Sequence, residues 1–391
     1  MNVTLAKRGL CIMIYLDYAA TTPMSKEAIE TYTKAAQQYF GNEQSLHDIG
    51  GTASSLLEVC RQSFAPMIGG KEQGVFFTSG GSESNYLAIQ SLLNAKNGKH
   101  IITTSMEHAS IRNYFQLLKN QGYVITEIPV DSKGLLNLQA LEEAITKDTV
   151  LASIQHGNSE IGTVQPIAEI GALLKKHHIL FHTDCVQTFG KLPIDIETMQ
   201  IDSISVSAHK IYGPKGVGVC YINPQVRWGQ VFPGTSHEKG FRPGTVNVPG
   251  IASFLTAAQH MLDHREEERT RFQQLRTYFI EQLQTISPKI QVEGHSASCL
   301  PHIIGVTIKG IEGQYTMLEC NRHGIAISTG SACQVGKQEP SKTMLAIGKT
   351  YEEAKQYVRF SFGRHTTMDQ IDTTIHALNT IGNQFYRGVK S

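Results

Sequence analysis

The sequence has no Cys-x-x-Cys pair, no excess of charge of one sign and no apolar run long enough to cross a membrane. Its seven cysteines, at positions 11, 60, 185, 220, 299, 320 and 333, are odd in number and scattered. That argues against a disulfide framework and for free thiols in a reducing compartment, so a cytoplasmic protein is expected. Residues 1–12 carry Lys7-Arg8 before a short apolar stretch, Gly9-Leu10-Cys11-Ile12. The stretch is too short and too poorly organised for a signal peptide. Thirty-five basic against 34 acidic residues leave a net charge of +1, which gives no bulk drive toward nucleic acid or a membrane surface. The cluster Arg265-Glu266-Glu267-Glu268-Arg269 reads as a solvated helix face. No internal repeat or low-complexity segment is evident.

What is present is an ordinary soluble composition, 40% hydrophobic and 18% charged, in 391 residues. The length suits two domains, or one large core with an appendage. Strand-like and helix-like segments alternate through the first two thirds. Strands are expected at 75–77, 100–104, 123–128, 150–155, 179–182 and 201–206, with helices at 84–93, 111–120 and 167–177. This alternation predicts an α/β domain with a mainly parallel sheet. After Asn247-Val248-Pro249-Gly250 the pattern changes. Residues 251–286 have helical spacing with many charges, strands follow at 303–308 and 358–361, and a helix is expected over 368–381. A smaller α+β domain is placed there.

The most informative stretch is Ser207-Ala208-His209-Lys210-Ile211-Tyr212-Gly213-Pro214-Lys215-Gly216. A lysine at a strand end, beside hydroxyl and imidazole groups, suits a Schiff base to pyridoxal 5′-phosphate. Thr78 to Asn85, glycine- and serine-rich between a strand and a helix, reads as a phosphate cradle. An ordinary turn with a serine cap explains it equally well. Asp184, ending an apolar strand, is placed to pair with a pyridine nitrogen or to cap the next helix, and Gln187 lies close by. His108, after Glu107 at a strand-to-helix junction, is a candidate for stacking on a planar ring and for moving protons. Arg359, central in the apolar strand Val358-Arg359-Phe360-Ser361, needs a partner: a substrate carboxylate, or an internal acid. Cys333 lies in Gly330-Ser331-Ala332-Cys333-Gln334-Val335-Gly336. Residues 328–342 have no clear period, so a mobile loop carrying an exposed thiol is expected. Most other cysteines look like small core residues.

In this order the motifs resemble the NifS/IscS-type cysteine desulfurases, fold-type I pyridoxal-phosphate enzymes of aminotransferase class V. The resemblance covers nearly the whole chain from Ile14. It runs from Tyr15-Leu16-Asp17-Tyr18-Ala19-Ala20-Thr21-Thr22-Pro23 through Ser45-Leu46-His47, Glu160-Ile161-Gly162, Gln165-Pro166 and Arg242-Pro243-Gly244-Thr245 to Ser331-Ala332-Cys333 and Arg359. It implies an N-terminal extension over 1–13, a segment 14–28 packing with the small domain, a large cofactor-binding domain over 29–260, and a small domain over 261–391. Lys210 would be the Schiff-base lysine. Asp184 would face the pyridine nitrogen, His108 the ring, and Gln187 the phenolic oxygen. Gly81, Ser82, Ser207 and His209 would hold the phosphate. Thr245 would reach the cofactor of the other subunit, which implies a homodimer with shared sites. Arg359 would bind the carboxylate of L-cysteine, and Cys333 would accept the sulfur.

The sequence departs from the family pattern at Asn158-Ser159-Glu160, where two asparagines usually stand, so Asn158 or Ser159 takes that cofactor or substrate contact. Ser82 replaces a usual threonine, and Gly234-Thr235-Ser236 replaces a glycine-rich segment. Asp184 to Gly190 and Phe241 to Asn247 resemble a Gram-positive branch associated with NAD biosynthesis, which supplies sulfur for the iron–sulfur cluster of quinolinate synthase. The expected reaction converts L-cysteine to L-alanine through a persulfide on Cys333, which passes its sulfur to an acceptor or scaffold protein. No resident metal is expected, a passing contact of Cys333 with an iron–sulfur cluster aside. A selenocysteine lyase, another class V enzyme and a non-catalytic sulfur-trafficking scaffold are the competing readings.

Overall fold

Seven strands form the central sheet. Their order is Val75–Thr78, Gly218–Ile222, Ser203–Ser207, Leu180–Asp184, Thr149–Ser153, His100–Thr104 and Val124–Ile128. Six run in one direction, and Gly218–Ile222 runs against both its neighbours. The computed structural model describes residues 13–286, 289–329 and 339–388. Helices cover both faces, so the inner strands are buried throughout, as parallel sheets require. This is the mainly parallel α/β sheet expected from the sequence.

The strands sit within a few residues of their expected positions. Gly218–Ile222 was not expected. Its run, Gly-Val-Cys-Tyr-Ile, follows the Gly/Pro-rich turn directly, and so short a connection from Ser207 permits only antiparallel pairing. Helices Lys26–Gln38 and Asp48–Phe64 were also missed. The expected helical stretch 251–286 divides at His264 into Val248–Asp263 and Arg265–Ile286. The division follows the packing. Phe254, Ala258 and Met261 enter the core beneath the large sheet, whereas Phe272, Leu275 and Phe279 enter a second core.

That second core lies between the antiparallel sheet Tyr357–Ser361, Ile303–Ile308, Ile290–Glu293 and the helices Arg265–Ile286 and Met368–Gly388. Ile304, Phe360, Phe362 and Ile375 fill it, each fully buried aromatic or branched side chain contributing about 1.5–3 kcal/mol. The N-terminal strand Ile14–Tyr15 pairs in parallel with Ile325–Ala326, and Leu16 joins the same core.

One buried ion pair ties an edge of the large sheet to the segment before helix Val248–Asp263. Arg61, 2% exposed, meets Glu238 through two parallel bonds of 3.0 and 3.1 Å. Arg61 also donates to the Val75 carbonyl, and Glu238 accepts the Phe77 N–H at 2.7 Å. The pair therefore satisfies backbone groups on the outer edge of strand Val75–Thr78. Among the described residues no helix is long and apolar enough to cross a membrane.

Candidate active site

In an open α/β sheet, ligands sit beyond the carboxyl ends of the parallel strands. A cavity of about 350 Å³ lies there. The turns after five strands contribute to it, and Ala19, Ala20, Ser341 and Arg359 close it from the side of the second core. Ten of the expected site residues line it together: Gly81 and Ser82 after the first strand, His108, Asn158, Asp184 and Gln187, then Ser207, His209 and Lys210, and finally Arg359.

Strand Ser203–Ser207 ends in a single 3₁₀ turn, Ala208–Lys210, that carries the lysine. Gly213 closes this turn, its N–H reaching the Ala208 carbonyl at 3.0 Å; a side chain there would meet Ala208 at the same distance. Lys210 Nζ donates to the carbonyls of Ala19 and Ala20 at 2.6 and 2.7 Å. His209 lies beside it, with Nδ1 3.1 Å from Thr21 Oγ1. Burial, then the neighbouring lysines, pull the His209 pKa down to about 4.

The cradle is built by close backbone approach. Gly80 caps helix Gly81–Asn94 with φ of 148°, a conformation that favours glycine, and a side chain on Gly218 would strike its Cα at 2.6 Å. Glu83 accepts the Ser79 N–H and binds Arg242 at 2.9 and 3.0 Å. The helix N-terminus thus faces the cavity beside Ser207, whose buried Oγ has no hydrogen-bond partner among the described residues.

Asp184 is 6% exposed. Its Oδ1 accepts the Val186 N–H at 2.9 Å, and its Oδ2 accepts Asn85 Nδ2 at 2.8 Å. Gln187 spends one N–H on the Ala19 carbonyl at 3.0 Å, while its buried Oε1 has no partner among the described residues. Arg359, 5% exposed, donates to the Ser159 carbonyl at 2.8 Å and to Asp17 Oδ1 at 2.7 Å. The internal acid considered from the sequence is therefore real. Yet Arg359 lines the cavity, and its buried Nε has no partner among the described residues. Unpaired buried polar groups on residues lining a cavity are ones that a ligand there could satisfy.

Asn158 is turned toward the chain, its Oδ1 accepting the N–H groups of Glu160 and Ile161 at 2.9 Å each. Ser159 also lines the cavity. Thr245 is exposed and lies away from it. Cys333, with the whole segment 330–338, lies outside the described residues, as do residues 1–12. Cys185 is fully buried, and burial pushes its thiol pKa well up.

Sequence reasoning missed Glu107 and Asn85. Glu107 is 1% exposed; its Oε1 accepts Thr104 Oγ1 at 2.7 Å and the Gln155 N–H at 2.9 Å, while Oε2 has no partner among the described residues. Burial raises its pKa to about 8, so the carboxyl is protonated at neutral pH. The signal was its place immediately before His108, between a strand and a helix. Asn85 was read only as the end of the glycine- and serine-rich run, and nothing in the sequence pointed to its bond with Asp184.

The residues fit pyridoxal phosphate. A helix N-terminus and the Ser207 hydroxyl would suit its phosphate, the strand-end Asp184 carboxylate its ring nitrogen, and the Lys210 amine its carbonyl. The model of the aminotransferase class-V family matches residues 14–374. The chain belongs to that family and is a pyridoxal-phosphate-dependent enzyme. Within it, the chain belongs with the NifS/IscS-type proteins. It is 50% identical to a Bacillus subtilis protein named "Putative cysteine desulfurase NifS", over 95% of each chain. A solved structure titled "NIFS-LIKE PROTEIN" superposes with a TM-score of 0.89 at 29% identity, covering 95% of this chain and all of the other. Another, "SspA in complex with cysteine", gives 0.79 at 32% identity, over 90% of this chain and all of that one.

Proposed function

We propose that this chain is a cysteine desulfurase that converts L-cysteine to L-alanine and retains the sulfur on Cys333. The observation that carries the reading is one cavity uniting the Lys210 amine, the buried Asp184 carboxylate and the Arg359 guanidinium. The names of the NifS relative and of the cysteine-bound neighbour support it. Pyridoxal phosphate, when bound, supplies an electron sink for the substrate carbon that carries nitrogen.

The chain's own groups do the rest. Gly81, Ser82, Ser207 and His209 hold the phosphate, and Asp184 keeps a proton on the ring nitrogen. Gln187, with one N–H left over, would bond the phenolic oxygen, and His108 would cover the ring. Arg359 anchors the substrate carboxylate. Lys210 takes the proton from the substrate α-carbon. The Cys333 thiolate attacks the substrate sulfur: a sulfur–sulfur bond forms, the Cβ–S bond breaks, and the carbon gains a proton to become the methyl group of alanine.

The division into 14–28, a large domain 29–260 and a small domain 261–391 is our reading of the two separate cores. A homodimer with shared sites is supported by the exposed Thr245 and by the exposed apolar side chains of Phe40, Leu46, Ile49 and Phe232. The resemblance of residues 184–190 and 241–247 to the branch tied to NAD biosynthesis supports quinolinate synthase as the sulfur acceptor. The purified holoenzyme should release alanine from L-cysteine in step with sulfur; cysteine consumption without alanine would overturn the reading.

A further inference from the structure

His108 caps helix Ala109–Asn120 with its own ring. The Ser110 N–H donates to His108 Nδ1 at 3.2 Å, and Ser110 Oγ lies 2.9 Å from the same nitrogen. A backbone N–H can only donate, so Nδ1 must present a lone pair. A neutral imidazole has one N–H, and here it falls on Nε2.

The bonds behind Ser110 run in the same sense. Asn85 Nδ2 donates to Ser110 Oγ at 3.1 Å and to Asp184 Oδ2 at 2.8 Å. An ionised carboxylate only accepts, which fixes the orientation of the Asn85 amide. Its Oδ1 therefore faces His182 Nε2, 3.2 Å away, and His182 must carry its proton there. The other His182 nitrogen lies 3.1 Å from Ser203 Oγ. Burial lowers the His182 pKa to about 3, so the ring stays neutral. Donation passes from His182 to Asn85, from Asn85 to both Asp184 and Ser110, and from Ser110 to His108.

We propose that Asn85 and Ser110 are positioning residues that lock His108 as the neutral tautomer protonated on Nε2, so that it serves the site as a hydrogen-bond donor and not as a base. The charged groups facing it divide. Asp184 favours an imidazolium; desolvation at the cavity opposes it most, followed by Lys210 and by Arg112 on its own helix, and the net effect lowers its pKa, although the residue itself is exposed. Glu107, its chain neighbour, is held protonated by its own burial. Deprotonation of the Cys333 thiol or of the substrate thiol then falls to another group. The tautomer rests on Ser110 and Asn85 alone; only its use in desulfuration rests on the function proposed above.

The test is nitrogen NMR of the holoenzyme labelled with ¹⁵N-histidine, with His108 assigned by loss of its signals in His108→Gln. The expected spectrum of the neutral ring has a bare Nδ1 and a protonated Nε2, with a titration midpoint below the ordinary histidine value. A protonated Nδ1 in the neutral ring, or titration at the ordinary histidine value, overturns the proposal. Ser110→Ala removes one of two donors to Nδ1 and should raise the titration midpoint by up to about one unit, the worth of one hydrogen bond. An unchanged midpoint removes Asn85 and Ser110 from the account. Alanine release measured on the same samples is a separate readout: its absence refutes the desulfurase reading and leaves the tautomer standing.

Discussion

Arg359 Nη2 donates to Asp17 Oδ1 at 2.7 Å across 342 residues of sequence. The same guanidinium holds the Ser159 carbonyl from a third segment. The N-terminal stretch, a turn of the large sheet and a strand of the small sheet thus meet at one side chain. This pair orients the guanidinium of a residue that lines the cavity, and its buried Nε has no partner among the described residues. Lysine keeps the charge but has no planar fork to satisfy Asp17, Ser159 and a carboxylate together. Arg359→Lys should therefore raise KM for cysteine and lower kcat/KM by roughly 10–100-fold, the worth of one to two charge-assisted bonds. Steady-state alanine formation measures this, and an unchanged KM would remove Arg359 from substrate binding.

In the proposed mechanism Lys210 carries the covalent link to the cofactor. Lys210→Ala should still bind pyridoxal phosphate through the phosphate and ring contacts. It should yield no lysine adduct after borohydride reduction and no alanine above background. Mass spectrometry of the reduced protein decides; an adduct on another lysine would reassign the site.

Glu107 makes stability depend on pH in a stated direction. Its folded pKa is raised to about 8, so the fold favours the protonated form. Its contribution is complete below the ordinary carboxyl range and is lost as pH rises through about 8. Glu107→Gln keeps an oxygen for Thr104 and Gln155 and removes the titration. Between about pH 5 and 8 the wild-type unfolding free energy should fall more steeply than that of the variant, with cofactor content matched. Parallel slopes in urea titrations would contradict this.

Arg61 and Glu238 test the sheet edge. Glu238→Ala leaves a buried guanidinium and the Phe77 N–H without their acceptor. The loss should be about 3–5 kcal/mol. Urea unfolding measures it, and a loss below about 1 kcal/mol would mean the pair is solvated.

Much of this site could be read in advance because its chemistry sits where strands end. Asp184, Ser207 and Lys210 follow apolar runs that mark strands, and each lies at the cavity. Gly218–Ile222 was invisible because an antiparallel insertion leaves no periodic signature distinct from a buried run. Helix Lys26–Gln38 has only Ala28 and Ala35 fully buried, too faint an apolar stripe to announce itself. Asn85 and Glu107 act through partners far away in sequence, Asp184 and Gln155, and such pairings appear only when the chain is folded.

The central claim is that sulfur passes from L-cysteine to Cys333. The direct measurement treats the holoenzyme once with sulfur-labelled L-cysteine and maps the label by mass spectrometry under non-reducing conditions, counting alanine in parallel. The account predicts one labelled sulfur on Cys333 for each alanine released, and neither product above background in Cys333→Ala. Full alanine turnover by Cys333→Ala, or label on a different cysteine, would contradict it.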